Sequence, residues 1–386
     1  MSCPNSKDCS GCSFWDTPYE EQLENKSSIL KKIGNAIGYT DEVKVHSLGP
    51  IELRDRADLQ WRIGEGWGFL DKSYTKIKAI NYCPLFSKPL QELFEWWSQF
   101  TLLAPKASVR LRVNIHGQWG VWLDLANIEV KRLLEQNELL SEWVSRAHVE
   151  IGQRFKVLKK IDLKWKLVDP VLKSWFSTID SSGNIYSTFG SIGVFTQVGN
   201  SINQILVTRT LELIKNYSQK LKDPKSENKN ERLTRVIELG AGAGNFTLAL
   251  SAEGFNVVAI EQREEYLLGL KMALQEYPKL APKIQTIIGN FNELNWGELG
   301  EEKSILFLDP PRSGIGESLL LQIPKGHFPL IFYISCSVES WQKDGKFLNQ
   351  LGYQLSDLEW IDQFPNTSHI EILSIFQINT NSSLCE

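Results

Sequence analysis

The sequence contains no apolar run that approaches the length of a membrane span. A spanning helix needs roughly 20 consecutive apolar residues, and no stretch of the 386-residue chain comes near that length. The N-terminus also lacks the basic segment followed by an apolar one that is typical of a secretion signal. We therefore expect a cytoplasmic protein that has no membrane partner.

Disulfide bonds are not expected either. Structural disulfides are rare in the cytoplasm, so the six cysteines need another explanation. For Cys385, next to the last residue, we predict no role.

A large net charge of either sign is also missing. The formal charge is −4, with 25 basic and 23 acidic residues up to residue 190 and 17 and 23 after it. This balance does not demand a nucleic-acid partner, although local charge matters more than the total. The basic stretch 154–173 is typical either of a solvated helix face or edge strand, or of a surface that binds phosphate.

The length and the 42% hydrophobic content suffice for two domains, each with its own core. No internal repeat is visible. We expect an α+β domain over residues 1–190 and an α/β domain with a doubly wound sheet over residues 191–386.

A glycine-rich segment, residues 235–251, is the most informative stretch of the second half. Apolar residues lead into Gly240, Gly242 and Gly244, and a helical pattern follows, which predicts a strand, a tight turn and a helix. Without Cβ atoms, the turn lets a cofactor lie against the backbone at the helix N-terminus. A dinucleotide fingerprint would need a glycine where Asn245 stands, which argues against a nicotinamide cofactor.

Acidic residues on the first two strands of this domain support a different cofactor. Glu238 lies within the first strand, and Glu261 ends the second, where a carboxylate can bind both hydroxyls of a ribose. A cofactor without a pyrophosphate fits this pattern, and S-adenosylmethionine is one. The alternative is an α/β unit whose tight turn binds no ligand.

Further strands alternate with helical patterns, which predicts a doubly wound sheet with its function at the carboxyl ends of the strands. The predicted strands are 257–260, 284–288, 304–308, 329–335 and 371–378. The strand 304–308 is followed by Asp309-Pro-Pro-Arg312, and a plain turn would not require the arginine. The strand 329–335 is followed by Cys336, although a lone cysteine at an apolar strand end is usually a core residue.

The remaining cysteines form a possible ligand set in the first half. Cys3, Cys9 and Cys12 lie close together, and Cys83 follows at a distance. Four thiolates can hold zinc or an iron-sulfur cluster. The uneven spacing is closer to ferredoxin-like cluster ligation than to the paired cysteines of zinc ribbons, and unliganded cysteines are the third alternative.

The first half also carries arginines and tryptophans along two predicted strands. Arg54, Arg56 and Arg62 alternate with Trp61 and Trp67. Such a mixture suits phosphate contacts and base stacking in RNA. A strand with one buried aromatic face explains the tryptophans equally well.

Two helices complete the predicted elements. Residues 19–33 form a predicted helix with Leu23, Ile29 and Leu30 on one face. A second predicted helix begins at Phe195 and runs to about Lys220, and the polar segment 220–232 is predicted to be an exposed loop.

Together, these motifs resemble the RNA uridine-C5 methyltransferase family over nearly the whole chain. The matching segments are Cys3, Cys9, Cys12 and Cys83; Arg54-Asp-Arg-Ala57; Phe195-Thr-Gln197; the glycine turn; Asp309-Pro-Pro-Arg312; Ser335-Cys336; and Phe364-Pro-Asn-Thr-Ser-His-Ile-Glu371. With no oligonucleotide-binding domain expected before Cys3, the chain is most similar to the shorter 23S ribosomal RNA enzymes.

The resemblance implies a Rossmann-like class I methyltransferase domain that acts on RNA as a monomer. Cys336 would add to C6 of a uracil, C5 would accept the methyl group of S-adenosylmethionine, and Glu371 would remove the C5 proton. The base must be flipped out of folded RNA, with 23S rRNA the expected substrate and tRNA the alternative. The implied cofactor contacts are Gln197, Gly240, Gly242, Asn245, Glu261 and Asp309. The implied ligands of a 4Fe-4S cluster, or of zinc as the alternative, are Cys3, Cys9, Cys12 and Cys83.

Two departures from the family pattern bear on activity. Gly240-Ala241 replaces an aromatic residue and a cysteine, and Ser337 replaces an asparagine after the nucleophile. Ser335-Cys336-Ser337 is similar to the Thr-Cys-Ser segment of cytosine-C5 RNA methyltransferases. Those enzymes, however, carry a second cysteine where this chain has Pro311 and Arg312. A catalytically silent RNA-binding protein is the remaining alternative, and it would need neither Cys336 nor Glu371.

Overall fold

The computed structural model describes residues 3–125, 127–145, 149–153, 156–221, 233–294, 296–299, 303–324 and 327–378. Arg154, Cys385 and nearly all of the predicted loop at 220–232 lie outside these residues.

Strands outnumber helices in the described residues, and the two kinds of element alternate mainly in the C-terminal half. The helices are α1 (Tyr19–Ala36), α2 (Lys88–Trp97), α3 (Asn127–Glu135), α4 (Glu138–Ser145), α5 (Asn200–Lys220), α6 (Asn245–Ala252), α7 (Glu264–Glu276), α8 (Glu317–Leu320) and α9 (Val338–Gln350). The strands are β1 (Lys44–His46), β2 (Arg56–Arg62), β3 (Gly66–Leu70), β4 (Ile77–Ala79), β5 (Lys106–Val113), β6 (Trp119–Asp124), β7 (Val149–Gln153), β8 (Lys156–Ile161), β9 (Lys164–Val168), β10 (Lys173–Ile179), β11 (Ile185–Gly190), β12 (Arg235–Leu239), β13 (Asn256–Glu261), β14 (Ile284–Ile288), β15 (Ile305–Leu308), β16 (Leu330–Ser335), β17 (Tyr353–Ile361) and β18 (Glu371–Ile378).

The C-terminal sheet has the strand order β14-β13-β12-β15-β16-β18-β17-β1. Strands β14 to β16 run parallel, and β18 is antiparallel to both of its neighbours. The strand order reverses between β12 and β15, so a crevice opens there at the carboxyl ends of the strands. The predicted doubly wound sheet is confirmed, and each predicted strand agrees with an observed one to within a residue at either end. Strand β17 was not predicted.

Both faces of this sheet are covered, because its central strands alternate between two apolar cores. On β15, Ile305 and Phe307 pack into the core beneath α5, α6 and α7. Leu306 and Leu308 pack into the opposite core, which includes residues of α1, α8 and α9. Nearly continuous apolar runs such as this one are typical of parallel strands that are buried on both faces.

The start of the chain completes the C-terminal sheet. Strand β1 pairs in parallel with β17, and Leu30 of α1 lies in the core on that side of the sheet. The division at residue 190 stays a prediction, and these contacts show that α1 and β1 pack against the second half.

The predicted apolar face of α1 was wrong in part. Leu30 is buried as expected, but Ile29 is 48% exposed. Polar residues take its place on the buried side, where Gln22 and Lys26 are each 1% exposed. They are buried because the loop between β17 and β18 supplies hydrogen-bond partners for them.

The N-terminal sheet has the order β4-β3-β2-β5-β6-β7-β8-β9 and is antiparallel except between β6 and β7. Its core holds Trp61 and Trp67, whose indole Nε1 atoms donate to the carbonyl oxygens of Ala104 and Phe100 at 3.0 and 2.8 Å. For these tryptophans the buried-face interpretation is confirmed, and stacking on RNA is wrong. The described part of the basic stretch forms β8 and the edge strand β9 and continues into β10.

The predicted start of α5 was too early. The helix begins at Asn200, whose backbone N–H donates to the Asp55 carboxylate at 2.7 Å. This carboxylate from the N-terminal half serves as the cap that the helix itself lacks. Phe195 and Gln197 therefore lie in the preceding loop. None of the described helices combines the length and apolar character that a membrane crossing requires.

We predict that Gly269→Ala destabilises the protein. A Cβ at Gly269 in α7 would lie 1.9 Å from the carbonyl oxygen of Phe189 on β11. The expected overpacking cost of about 1–3 kcal/mol exceeds the gain of roughly 1 kcal/mol in helix propensity. Thermal unfolding should show a lower melting temperature, whereas Leu268→Ala, at the exposed neighbouring position, should change it much less. An unchanged or higher melting temperature for Gly269→Ala would contradict this close packing.

Candidate active site

A cavity of about 850 Å³ opens at the carboxyl ends of the strands in the C-terminal sheet. It is lined by every residue predicted for cofactor binding and catalysis: Gln197, Gly240, Gly242, Asn245, Glu261, Asp309, Cys336 and Glu371. These residues come from widely separated segments, so the sheet brings the whole predicted set together.

The glycine turn forms one wall of the cavity. Gly240, Gly242 and Gly244 have φ angles of +89°, +56° and +96°, in the left-handed region that side chains disfavour. A Cβ at Gly240 would lie 2.6 Å from the carbonyl oxygen of Asp309. The replacement of the family's aromatic residue by Gly240 therefore accompanies a close approach of two backbone segments.

Glu261 lies beside the turn at the end of β13. Its two carboxylate oxygens accept the N–H groups of Gly242 and Arg263, each at 3.0 Å. Each oxygen keeps a further acceptor site, so the carboxylate can still bind ligand hydroxyls.

Asn245, at the start of α6, has a protein partner as well as a place in the cavity wall. Its amide exchanges two hydrogen bonds with the amide of Asn203 on α5, at 2.9 and 3.0 Å. These bonds connect the two helices behind the cavity.

Cys336 and Glu371 lie side by side at the other end of the cavity. Strands β16 and β18 pair antiparallel with Ser335 opposite Ile372, so the residue after Ser335 adjoins the residue before Ile372. Cys336 is half-buried, and Glu371 is 4% exposed. The predicted nucleophile and the predicted base thus face one space.

Burial and neighbouring charges shift the pKa values of this group. Burial, and then Glu371, raises the pKa of the Cys336 thiol, while the charge and a hydrogen bond of Arg312 lower it. Burial, and then Asp309, raises the pKa of Glu371 well above its usual range, and Arg312 again opposes the shift. Burial, followed by Glu261, raises the pKa of Asp309 to about 7. Arg312 is therefore the cation that favours the ionised forms of both Cys336 and Glu371.

Ser337 has a structural role in this chain. It is the N-cap of α9, and its Oγ accepts the backbone N–H of Ser340 at 3.4 Å. The replacement of the family's asparagine thus retains a polar side chain that can cap a helix.

Other residues that line the cavity were not predicted from the sequence. Trp175 and Phe176 of β10 line it, as does Tyr266 of α7. Strand β10 is buried along most of its length and shows no alternation, so its pattern gave no signal. Arg56, part of a family motif, lies over the Phe195 ring at 4.7 Å and lines the cavity as well.

The N-terminal cysteines surround a separate, smaller cavity of about 40 Å³. Cys3, Cys9, Cys12 and Cys83 all line it, and the Asn5 side chain connects this loop to the carbonyl oxygen of Tyr82 at 3.0 Å. Within the described residues, no group of three or more histidine, cysteine or acidic side chains is placed to hold a metal ion.

The fold and the site together define a class of protein. A doubly wound sheet with a glycine turn at its switch point, followed by an acidic residue at the end of the next strand, is that of a class I methyltransferase. A solved tRNA (uracil-54, C5)-methyltransferase from Pyrococcus abyssi, in complex with S-adenosyl-L-homocysteine, has the same fold: the TM-score is 0.65 at 19% identity, over 97% of this chain and 87% of that one.

Sequence comparisons identify the family. The model of the tRNA (uracil-5-)-methyltransferase family matches residues 288–377. An uncharacterised RNA methyltransferase of Bdellovibrio bacteriovorus is 32% identical over 98% of this chain and 95% of its own length. A 23S rRNA (uracil(1939)-C(5))-methyltransferase of Shewanella baltica is 25% identical over 97% of this chain and 81% of that protein. The chain belongs to the family of S-adenosylmethionine-dependent RNA uracil-C5 methyltransferases.

We predict that Arg312→Met shifts the pH dependence of methyl transfer. Loss of the guanidinium removes the charge that lowers the pKa of both Cys336 and Glu371. Because both groups must lose a proton to act, the rising limb of kcat/KM against pH should move to higher pH. Lys343→Met, at an exposed position of α9, should leave the limb in place. If the rising limb for Arg312→Met lies at the same pH as that of the wild type, this role of Arg312 is contradicted.

Proposed function

We propose that the protein methylates C5 of a uridine in 23S rRNA through a covalent bond between Cys336 and C6 of the base. One observation carries this proposal: Cys336, Glu371 and the glycine turn share one cavity. The 23S substrate is supported by relatives of that name that match nearly the whole chain. A uridine in tRNA is the second candidate, favoured by the description of the matching family model.

Cys336 would begin the reaction. The C5 carbon of uracil is a weak nucleophile, and addition of the Cys336 thiolate to C6 moves electron density onto C5 and O4. Arg312 supports this step because its charge favours the thiolate. The activated C5 carbon is then the atom that accepts the methyl group.

The residues around the glycine turn fit S-adenosylmethionine. This cofactor, when bound, supplies an electrophilic methyl group on a sulfonium centre. Gly242 leaves room against the backbone, and Glu261 keeps acceptor sites for ribose hydroxyls. Gln197 and Asp309 line the remainder of the same wall.

Glu371 would complete the reaction as the base. After methylation C5 carries both the methyl group and a hydrogen. The carboxylate takes that proton, the electrons of the C5–H bond restore the C5–C6 double bond, and the C6–S bond breaks to release the Cys336 thiolate. Burial raises the pKa of Glu371, which strengthens the carboxylate as a proton acceptor.

Labelled methyl transfer tests this function. Wild-type protein should transfer label from S-adenosylmethionine to undermodified 23S rRNA, with 5-methyluridine as the product. Cys336→Ala should lower the rate by at least about a thousandfold, as expected for loss of a nucleophile. RNA with 5-fluorouridine at the target should form a stable complex through Cys336, because fluorine cannot leave as a cation. Undiminished transfer by Cys336→Ala would rule out the mechanism. Label found in tRNA alone would assign tRNA, and not 23S rRNA, as the substrate.

We also propose that Cys3, Cys9, Cys12 and Cys83 hold a 4Fe-4S cluster. All four cysteines line one cavity, although Cys83 is distant from the other three in the sequence, and thiolates are the usual ligands of such clusters. Zinc is the lesser alternative, since a single ion needs all four sulfur atoms at about 2.3 Å from one point. The uneven spacing of the four cysteines also supports the cluster, because it is closer to ferredoxin-like ligation than to the paired cysteines of zinc ribbons.

Anaerobic purification tests the cluster. The protein should be brown and contain iron and sulfide, and Cys83→Ser should lose both because one ligand is missing. Cys336→Ala is the matched control, since its thiol lies in the other cavity, and it should retain both. Colourless wild-type protein with stoichiometric zinc would contradict the assignment.

We further propose that residues 1–190 are an RNA-binding domain, that residues 191–386 are the methyltransferase domain, and that the protein acts on RNA in the cytoplasm as a monomer. One chain supplies every residue predicted for the active site, so the proposed reaction needs no second copy. Exposed lysines on β8 and β9, such as Lys159 and Lys164, support a surface for the RNA backbone.

A further inference from the structure

The loop that leads to Glu371 is held by the N-terminal helix. Residues 362–370 connect β17 to β18, and Glu371 is the first residue of β18. Asp362 and Asn366 of this loop are 1% and 4% exposed. Their side chains are satisfied mainly by residues more than 300 positions earlier in the chain.

The beginning of the loop is fixed by a buried charge pair. The Lys26 ammonium donates to Asp362 Oδ1 at 2.7 Å and to the carbonyl oxygen of Phe364 at 3.0 Å. The Tyr19 hydroxyl donates to the other oxygen of Asp362 at 2.8 Å. One carboxylate and one carbonyl of the loop are thereby bound to α1.

The middle of the loop is fixed by an amide pair. The Asn366 N–H donates to Gln22 Oε1 at 2.8 Å, and Gln22 Nε2 donates to Asn366 Oδ1 at 3.1 Å. The carbonyl oxygen of Asn366 also accepts the N–H of Phe14 at 2.9 Å. These contacts hold Asn366 at a φ of +63°, a conformation that is uncommon for residues other than glycine.

The buried polar side chains of α1 cost more desolvation free energy than apolar side chains would in a purely structural contact. Tyr19, Gln22 and Lys26 recur at the spacing of one helix face, where apolar residues would cover the loop without desolvating charges. A buried ion pair often contributes little net stability. Polar partners, however, accept only one position of the loop, because a shift would leave buried groups without hydrogen bonds.

We propose that Gln22 and Lys26, with Tyr19, are positioning residues that hold Glu371 against C5 of the methylated base. This inference rests on the proposed function, in which Glu371 removes the C5 proton. The residues act through the loop 362–370 and touch neither substrate nor cofactor. Their effect is therefore largest at the last step, when the C5–H bond breaks and Cys336 leaves C6.

Separate measurement of the two halves of the reaction tests this role. Rapid mixing of enzyme, 23S rRNA and labelled S-adenosylmethionine gives the rate at which a denaturation-resistant, methylated enzyme–RNA complex forms. The rate at which free methylated RNA appears then gives the release step. A general loss of folding lowers the amount of active enzyme in both measurements, whereas misplacement of the base slows release much more than formation of the complex.

Gln22→Met removes the amide pair at nearly constant size. Release should slow by about tenfold or more, as expected when a catalytic group is misplaced by a fraction of an ångström to 1 Å. Formation of the complex should change by less than about threefold, so the complex accumulates. Asn25→Met, on the exposed side of the same helix, should behave as wild type. Release at the wild-type rate in Gln22→Met would overturn the proposal.

A second variant covers the charge pair. Lys26→Met alone would leave a buried carboxylate unpaired and could unfold the protein, so Lys26→Met combined with Asp362→Asn is preferred. This double variant should also accumulate the complex. Equal slowing of both steps would show a structural role only.

Glu371→Gln distinguishes this inference from the proposed function. If Glu371→Gln accumulates the complex while Gln22→Met and the double variant release RNA normally, only the positioning role fails. If Glu371→Gln does not accumulate it, the assignment of the base fails, and the positioning role fails with it.

Discussion

The antiparallel pairing of β16 with β18 is the constraint on which the active site depends. Its register sets Ser335 opposite Ile372, so Cys336 and Glu371 become neighbours although 34 residues separate them in the sequence. The parallel neighbour β15 brings Asp309 to the same edge. A shift of one residue would turn either side chain to the other face of the sheet. Reaction chemistry thus depends on the backbone hydrogen bonds that join these two strands.

Crowding of acidic groups is the second property of the site. Glu238, Glu261, Asp309 and Glu371 approach one another at the strand ends, and burial makes their charges expensive. The pKa of Glu238 rises to about 8 for this reason, and its carboxyl is fully buried against the Thr247 hydroxyl. Such a group of carboxyls lowers the stability of the folded protein. The carboxyls nevertheless suit a site that moves protons and binds a cationic sulfonium. Both functions need acidic groups in an environment of low dielectric constant.

The two halves of the chain are less separate than their sheets suggest. Helix α1 and strand β1 pack on the C-terminal sheet, and Asp55 caps α5 from the N-terminal half. Phe14, two residues after Cys12, donates its N–H to the loop before Glu371. The segment that carries the first cysteines is therefore continuous with the contacts that hold the catalytic loop. A ligand at the cysteines would stabilise this segment as well as its own cavity.

The sequence by itself determined the parallel strands, the glycine turn and the residues at the strand ends. Those features follow from local apolar periodicity and from short motifs, which report burial and turn geometry along one segment. Tertiary structure alone decided that Trp61 and Trp67 are core residues, that α5 starts at Asn200, and that Gln22 and Lys26 belong inside. A polar residue on a helix looks solvated unless its partner is known, and here the partners lie more than 300 residues away. Periodicity shows which side of an element is buried, but only the folded chain shows what it is buried against.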